Sequence, residues 1–171
     1  SYIACLHALV GAGARGAWLS SELSLPEIQT LAKDSPVPLG IMAIGRVRAM
    51  TSEHCVLQVA NRCVDDCERC ALRQRRLFLQ NGVGDRLPVC TDTHGRSRIY
   101  AAQETDAAPE IPQLIEAGVR WFGADCTLMS ANETKRAVER LVAAVNAAQE
   151  ARRSLERRAG TTPGHLLEPI A

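Results

Sequence analysis

Short apolar runs alternate with a helical pattern in the first part of the chain. Residues 17–20 form an apolar segment typical of a strand. Ser24 and Glu27 have the spacing of a capping box, which predicts a helix from residue 25 to about residue 33. Residues 39–44 are a nearly continuous apolar run of strand length. This order predicts a β-α-β unit, and strands without polar alternation are typical of parallel sheets covered on both faces.

The same alternation resumes in the last third of the chain. The pattern predicts a helix over residues 111–117, a strand over 119–124 and a long helix from a second capping box to about residue 157. The apolar positions of that long helix are Ala137, Val138, Leu141, Val142 and Val145. Only about four core strands can be counted, which is too few to close an eight-stranded barrel. We therefore predict an α/β fold, either a parallel sheet or part of a TIM-like β/α barrel, with further strands or a partner chain covering the open sheet edge.

The middle of the chain breaks this pattern. Residues 51–76 are polar, rich in cysteine and then in arginine, and show no sustained period, so we interpret them as a long functional loop. Residues 77–80 and 86–90 flank the glycine-rich segment NGVGD, which predicts a small β-hairpin. We expect this hairpin to decorate the main sheet.

Composition and charge are those of an ordinary globular domain. The chain has 171 residues, of which 46% are hydrophobic and 23% charged, and its formal net charge is +1. Bulk charge therefore gives no argument for a nucleic-acid or membrane-surface partner. No run of about 18 apolar residues is present, and residues 1–16 lack the basic-then-apolar order of a secretory signal. We expect a cytoplasmic protein without membrane contact.

Cysteine is the unusual residue of this composition. Four of the seven cysteines lie within sixteen consecutive residues: Cys55, Cys63, Cys67 and Cys70. Four thiolates at such short spacing can hold one tetrahedral Zn²⁺ or supply the ligands of a [4Fe–4S] cluster. Cys90, twenty residues further on, could replace one of them. The alternative is that these are free thiols that fill the core.

Two other sets of residues could carry chemistry. Glu53 and His54 directly precede Cys55, and Asp92 stands at the end of a predicted strand, so these groups are candidate catalytic residues. A Cys/His pair requires an imidazole within hydrogen-bond reach of the sulfur. Two basic patches could contact RNA or phosphate, or could be solvated charged surfaces. Their candidate binding residues are Arg73, Arg75 and Arg76 beside the cysteines, and Arg96 and Arg98 downstream.

A glycine motif at residues 11–16 matches G-x-G-x-x-G literally. A dinucleotide site needs these glycines after a strand and before a helix. Here the preceding residues 1–10 predict a helix and the following ones a strand, so we interpret the motif as a connection.

Several separated motifs resemble peptidase family U32, the collagenase-like proteases. They are Gly45-Arg46 followed by MTSEHC at 50–55, then LPV at 87–89 with Thr91-Asp92, RSRIY at 96–100, IPQLIEAGV at 111–119 and GTTPGHL at 160–166. The resemblance implies that residues 1–159 are the later part of a U32-type β/α catalytic domain, with the cysteine-rich loop and hairpin at 51–100, and that 160–171 are a tail. It also implies a peptidase, or an iron–sulfur protein of oxygen-independent hydroxylation or RNA modification. A non-catalytic, zinc-stabilised domain is the third possibility.

The chain departs from this family at two positions where many relatives have cysteine. Gly95 stands directly before Arg96, and shortly before the helix at residue 111 the chain has alanines, Ala107 and Ala108, in place of cysteine. Either the cysteines of the loop form a local site or the cluster has been lost. A peptidase implies a peptide substrate, and an RNA-modification protein implies an RNA substrate.

Overall fold

The computed structural model describes residues 2–63, 65–151 and 154–167 of the chain. It divides into two compact units, Ser1–Gly45 with Glu104–Ala171, and Arg46–Gln103. The helices are α1 (Tyr2–Gly11), α2 (Leu25–Asp34), α3 (Val56–Val59), α4 (Ile111–Glu116) and α5 (Ala131–Ala151). The strands are β1 (Ala17–Trp18), β2 (Leu39–Gly45), β3 (Arg48–Ser52), β4 (Leu77–Gln80), β5 (Arg86–Thr91), β6 (Ser97–Tyr100), β7 (Glu104–Asp106), β8 (Val119–Asp125) and β9 (Thr161–Thr162).

The first unit is built on a five-stranded sheet with β2 at its centre. Strand β2 pairs in parallel with β1 and with β8, and its last residues pair antiparallel with β7. Strand β9 adds in parallel to β7. The predicted β-α-β unit is thereby confirmed: β1, α2 and β2 follow one another, and Gly11 to Gly16 connect α1 to β1.

Helices cover one face of this sheet and form the core of the unit. The most deeply buried side chains include Ile28 of α2, Leu39 and Ile44 of β2, and Ile111 and Leu114 of α4. Both capping boxes are present: the carboxylate of Glu27 accepts from the N–H and the hydroxyl of Ser24, and the carboxylate of Glu133 accepts from the same groups of Ser130. These bonds fix the first turns of α2 and α5.

Helix α5 differs from its prediction in two ways. It ends at Ala151, and the backbone of residues 154–158 is not helical. Its buried stripe runs through small residues, Ala137, Ala144 and Ala148, with Leu141, whereas Val138 and Val142 are about half exposed. The helical spacing of the apolar residues was recognised correctly, but alanines let the helix approach the sheet closely and leave these two valines on the outer side.

The second unit contains a separate antiparallel sheet with the strand order β3-β6-β5-β4. The hairpin of β4 and β5 was predicted and is confirmed. Its place is not as predicted, because the hairpin does not join the main sheet. Strand β5 pairs with β6, and β6 pairs with β3, so the hairpin belongs to the second sheet. Strand β3 lay undetected because residues 48–51 are all exposed and show no apolar alternation.

The architecture is thus mixed α/β with two open sheets, and the described strands form no closed barrel. Within the described residues, no helix has the length and apolar character needed to cross a membrane.

Candidate functional site

Four cysteines of the second unit line one cavity. The cavity has a volume of about 20 Å³ and is lined by Cys55, Leu57, Cys63, Asp66, Cys67, Cys70, Arg73, Thr91 and Asp92. A space of this size holds about one water-sized occupant. The four predicted metal ligands therefore face the same small space.

Cys55 is held at the start of α3. Its carbonyl oxygen accepts the N–H groups of Gln58 and Val59, and the next N–H, of Val56, donates to the hydroxyl of Ser97 at 3.1 Å. Ser97 lies fully buried on β6. The sheet thus fixes the backbone at Cys55.

Cys63 follows a sharp turn of the chain. Asn61 and Asp65 both have positive φ angles, 53° and 52°, which Asn and Asp tolerate better than other side chains do. The N–H of Asp65 donates to the sulfur of Cys63 at 3.4 Å, and the thiol lies 3.5 Å from the Asp65 carboxylate. The N–H bond lowers the pKa of the Cys63 thiol, but desolvation, the Asp65 carboxylate and nearby Cys55 outweigh it and raise that pKa. Cys63 is therefore a neutral thiol at pH 7.

Cys67 and Cys70 are separated by a short turn. The carboxylate of Asp66 accepts the N–H of Arg69 at 3.1 Å, which bends the chain between the two cysteines. Cys70 is buried, whereas Cys67 is exposed. A Cβ atom at Gly95 would lie 3.9 Å from Cβ of Cys55 and 4.0 Å from Sγ of Cys67, so the turn that contains Gly95 stands beside these two cysteines.

The donor set fits a thiophilic metal by its chemistry, because four soft sulfur donors are the ligands that Zn²⁺ and iron–sulfur clusters take. In the ranges 2–63, 65–151 and 154–167, no three Cys, His, Asp or Glu side chains group closely enough to hold a metal ion as they stand. The thiols line the cavity without meeting at one point. Binding of one Zn²⁺ by all four cysteines requires every sulfur to lie about 2.3 Å from a common point.

Cys90 lies outside this cavity. It is half-buried on β5 next to Thr91, which lines the cavity, and successive side chains of a strand point to opposite faces. Burial raises the pKa of the Cys90 thiol, and the charges of Arg98 and Arg76 oppose this only in part. The structure thus places Cys90 apart from the other four cysteines.

Glu53 and His54 lie together between β3 and α3, and both are exposed. The backbone N–H of His54 donates to the hydroxyl of Ser52 at 3.1 Å. No histidine is among the residues that line the cavity. Among the described residues, no hydrogen bond joins an imidazole to a cysteine sulfur, which is the contact that a Cys/His nucleophile requires.

Asp92 lines the cavity, but its oxygens are occupied. One oxygen accepts the N–H groups of His94 and Arg96, and the other accepts from the side chains of Arg96 at 3.0 Å and Arg98 at 3.4 Å. Desolvation alone would raise the pKa of Asp92, but these bonds and charges lower it below its ordinary value. Asp92 thus organises the turn between β5 and β6 and remains ionised at neutral pH.

The sequence as a whole was compared with known proteins. A family model described as peptidase family U32 matches residues 4–163, which is most of the chain. The chain belongs to peptidase family U32. The match spans both units of this U32 chain and includes the entire cysteine cavity. No curated protein and no solved structure matches the chain.

The arginines of the two predicted basic patches of the U32 chain have different surroundings. Arg96 and Arg98 are engaged with Asp92, and Arg73 lines the cavity. Arg75 and Arg76 are exposed. The side chains of Arg96 and Arg98 remain partly exposed although they pair with Asp92.

A second charged cluster of the U32 chain escaped the sequence analysis. Buried Asp106 and Glu110 meet three arginines, Arg140, Arg157 and Arg158, in the first unit. Burial raises the pKa of Glu110 although Arg157 and a backbone bond oppose it, and one of its carboxylate oxygens is buried without a hydrogen-bond partner in the described structure. The partners stand 34 to 52 residues apart in sequence, so no local spacing could have indicated them.

Proposed function

We propose that this U32 domain is a peptidase-like hydrolase whose cysteine cavity is a thiolate metal centre. The observation that carries the proposal is the shared cavity of Cys55, Cys63, Cys67 and Cys70. Family membership supports the hydrolytic part of the proposal. Because a thiol-rich loop of this kind needs a reducing compartment to keep its thiols available, we also propose a cytoplasmic location.

The identity of the metal has two candidates. A single Zn²⁺ suits the cavity volume of about 20 Å³, and four cysteine ligands would close its coordination, so that it would stabilise the loop rather than bind substrate. A [4Fe–4S] cluster takes the same four ligands and would supply one-electron chemistry. The cluster is larger than a single ion and would need more space than the cavity of about 20 Å³ provides.

The acid–base residues that we propose for hydrolysis are Glu53 and His54. Both side chains are exposed, so a peptide in solution can reach them. They directly precede Cys55, so metal binding at Cys55 would fix the backbone of this pair. Asp92 is a weaker candidate, because four donors already occupy its carboxylate.

We further propose that the five-stranded sheet is part of a larger TIM-like barrel. Trp18, Met42 and Trp121 lie about half exposed on β1, β2 and β8, the parallel strands of the sheet. Parallel sheets are ordinarily covered on both faces. Further barrel strands or a partner chain would cover these side chains.

An iron–sulfur protein of hydroxylation or RNA modification is the second candidate function. It would use the same four cysteines, and exposed Arg75 and Arg76 favour an RNA substrate over an uncharged one.

Hydrolysis of gelatin or a fluorogenic peptide by the purified chain tests the first function. We expect the variants Glu53→Gln and His54→Ala to lower the rate by about 10²-fold or more, because general acid–base catalysis contributes about 10² to 10⁴. His7→Ala is the matched control, because His7 is an exposed histidine of α1 in the other unit. A metal-loaded wild-type chain that hydrolyses no peptide would refute the peptidase proposal.

A further inference from the structure

Arg73 brings an unmatched positive charge into the cysteine cavity. Its Nη1 atom is buried and has no hydrogen-bond partner in the described structure. The acidic residues of the lining are already engaged: Asp92 pairs with Arg96 and Arg98, and Asp66 pairs with Arg69. Among the described ion pairs, neither carboxylate pairs with Arg73.

A buried guanidinium N–H without an acceptor is unfavourable, and the guanidinium cannot relieve this by losing its proton. An acceptor is therefore expected when the site is in its working state. Of the polar groups in the lining, the hydroxyl of Thr91 already lies 3.4 Å from that of Ser97. The four cysteine sulfurs are also acceptors of the lining, and they are the ones that gain negative charge when a metal binds.

A neutral thiol is a weak acceptor, whereas a thiolate is a good one and carries the opposite charge. Four cysteines that bind Zn²⁺ release four protons to solvent, and the resulting centre has a net charge of −2. A [4Fe–4S] cluster held by four thiolates also leaves negative charge on the sulfurs. Either centre would supply the missing partner.

We propose that Arg73 donates a hydrogen bond from Nη1 to a metal-bound cysteine sulfur and so stabilises the negative charge of the centre. Arg73 is then a positioning residue that acts through the ligands. This inference rests on the metal centre proposed above. Outer-shell hydrogen bonds of this kind typically change metal affinity about 10- to 100-fold.

The test is a titration of the reduced full chain with Co²⁺, followed by displacement with Zn²⁺ against a competing chelator. Arg73→Met removes the charge and the donors at similar length, and Arg73→Lys keeps the charge and a donor. The matched control is Arg62→Met, because Arg62 is exposed in the same loop and lies outside the cavity.

We expect Arg73→Met to weaken binding of both metals about 10- to 100-fold and Arg73→Lys to recover part of the loss. The thiolate-to-cobalt charge-transfer band of Arg73→Met should also move to lower energy, because a sulfur without the hydrogen bond holds its electrons less tightly. A merely structural role would not move this band. Arg62→Met should match the wild type in both measurements.

If Arg73→Met binds metal with wild-type affinity and its charge-transfer band does not move, the role proposed for Arg73 is wrong. This result would leave the proposed metal centre unaffected. Should Arg73→Met fail to fold, Arg73→Leu, which also lacks the charge and the donors, takes its place, and wild-type affinity of Arg73→Leu would overturn the inference. A wild-type chain that binds neither metal and contains no iron would refute the metal centre itself, and Arg73 with it.

Discussion

Replacing Asp106 by Asn removes the charge at the centre of the buried ion-pair cluster. Asp106 is fully buried at the end of β7. Its carboxylate accepts from the side chain of Arg140 at 2.8 to 3.2 Å, from Nε of Arg158 at 3.2 Å and from the N–H of Ala108 at 3.3 Å. An amide side chain keeps the shape but loses the negative charge, and its NH2 group cannot accept the bonds that one carboxylate oxygen takes from Arg140 and from the N–H of Ala108.

The size of the stability loss depends on the hydrogen bonds and ion pairs that Arg140 and Arg158 keep when Asp106 is replaced. Arg140 has a side chain only 18% exposed, and without Asp106 it retains a single bond to the carbonyl of Glu156. Removing one partner of such a buried pair costs about 3 to 5 kcal/mol. Arg158 is 37% exposed and keeps Glu104 at 2.6 Å, so solvent screening makes its share small.

We therefore expect Asp106→Asn to lower the free energy of unfolding by about 3 kcal/mol, a large part of the 5 to 15 kcal/mol typical of a domain. The corresponding fall in Tm is about 6 to 12 °C for a chain of this size. Urea unfolding at pH 7 measures the loss directly. Asp34→Asn is the control, because Asp34 is exposed at the end of α2 and should change stability by less than about 0.5 kcal/mol.

The pH dependence provides a second check. Burial alone would raise the pKa of Asp106, but the hydrogen bonds from Arg140 and Arg158 hold it below the ordinary value of about 3.9. Its stabilising contribution is therefore complete above about pH 4 and is lost as the pH falls through the lower folded-state pKa. The difference in free energy of unfolding between wild type and Asp106→Asn should become smaller below pH 4. A loss under about 1 kcal/mol at pH 7, or a gap that does not change with pH, would refute the reasoning.

Two further substitutions test local features of the fold. Gly45→Ala should destabilise the chain by about 1 to 3 kcal/mol or more, because φ at Gly45 is +131° and the new Cβ would lie 2.6 Å from a backbone oxygen of β8. Thermal unfolding measures the loss of stability. Gly82→Ala is the control, because the space around Gly82 is open. Asp92→Asn should speed amide hydrogen exchange in the turn between β5 and β6, because the arginine side chains there lose their carboxylate. Unchanged exchange would show that Asp92 does not organise the turn.

The parts of the fold that could be predicted are those with local signals. The apolar run of β2, the two capping boxes and the glycine-rich hairpin each depend on residues close together in sequence, and all are present. Strands β3 and β6 carried no such signal. These two strands pair with each other although more than 40 residues separate them in sequence. The apolar periodicity of a segment gives no information about such a distant partner.

The same distinction applies to the candidate site. The spacing of the four cysteines indicated one common site, and the structure places all four around one cavity. The unpartnered nitrogen of Arg73 could not be predicted, because Asp92, which might have neutralised it, is occupied by Arg96 and Arg98 from the far side of a turn. Which charges remain unmatched depends on tertiary pairing.

The most direct test of the metal centre is metal analysis with an absorption spectrum on wild-type protein purified without oxygen. The account predicts one zinc ion, or about four iron atoms with a broad visible absorption band, per chain. It also predicts that Cys67→Ser loses the metal while Cys126→Ser, a half-buried cysteine outside the cavity, retains it. A wild-type chain without zinc or iron, or a Cys67→Ser variant with full metal content, would contradict the account.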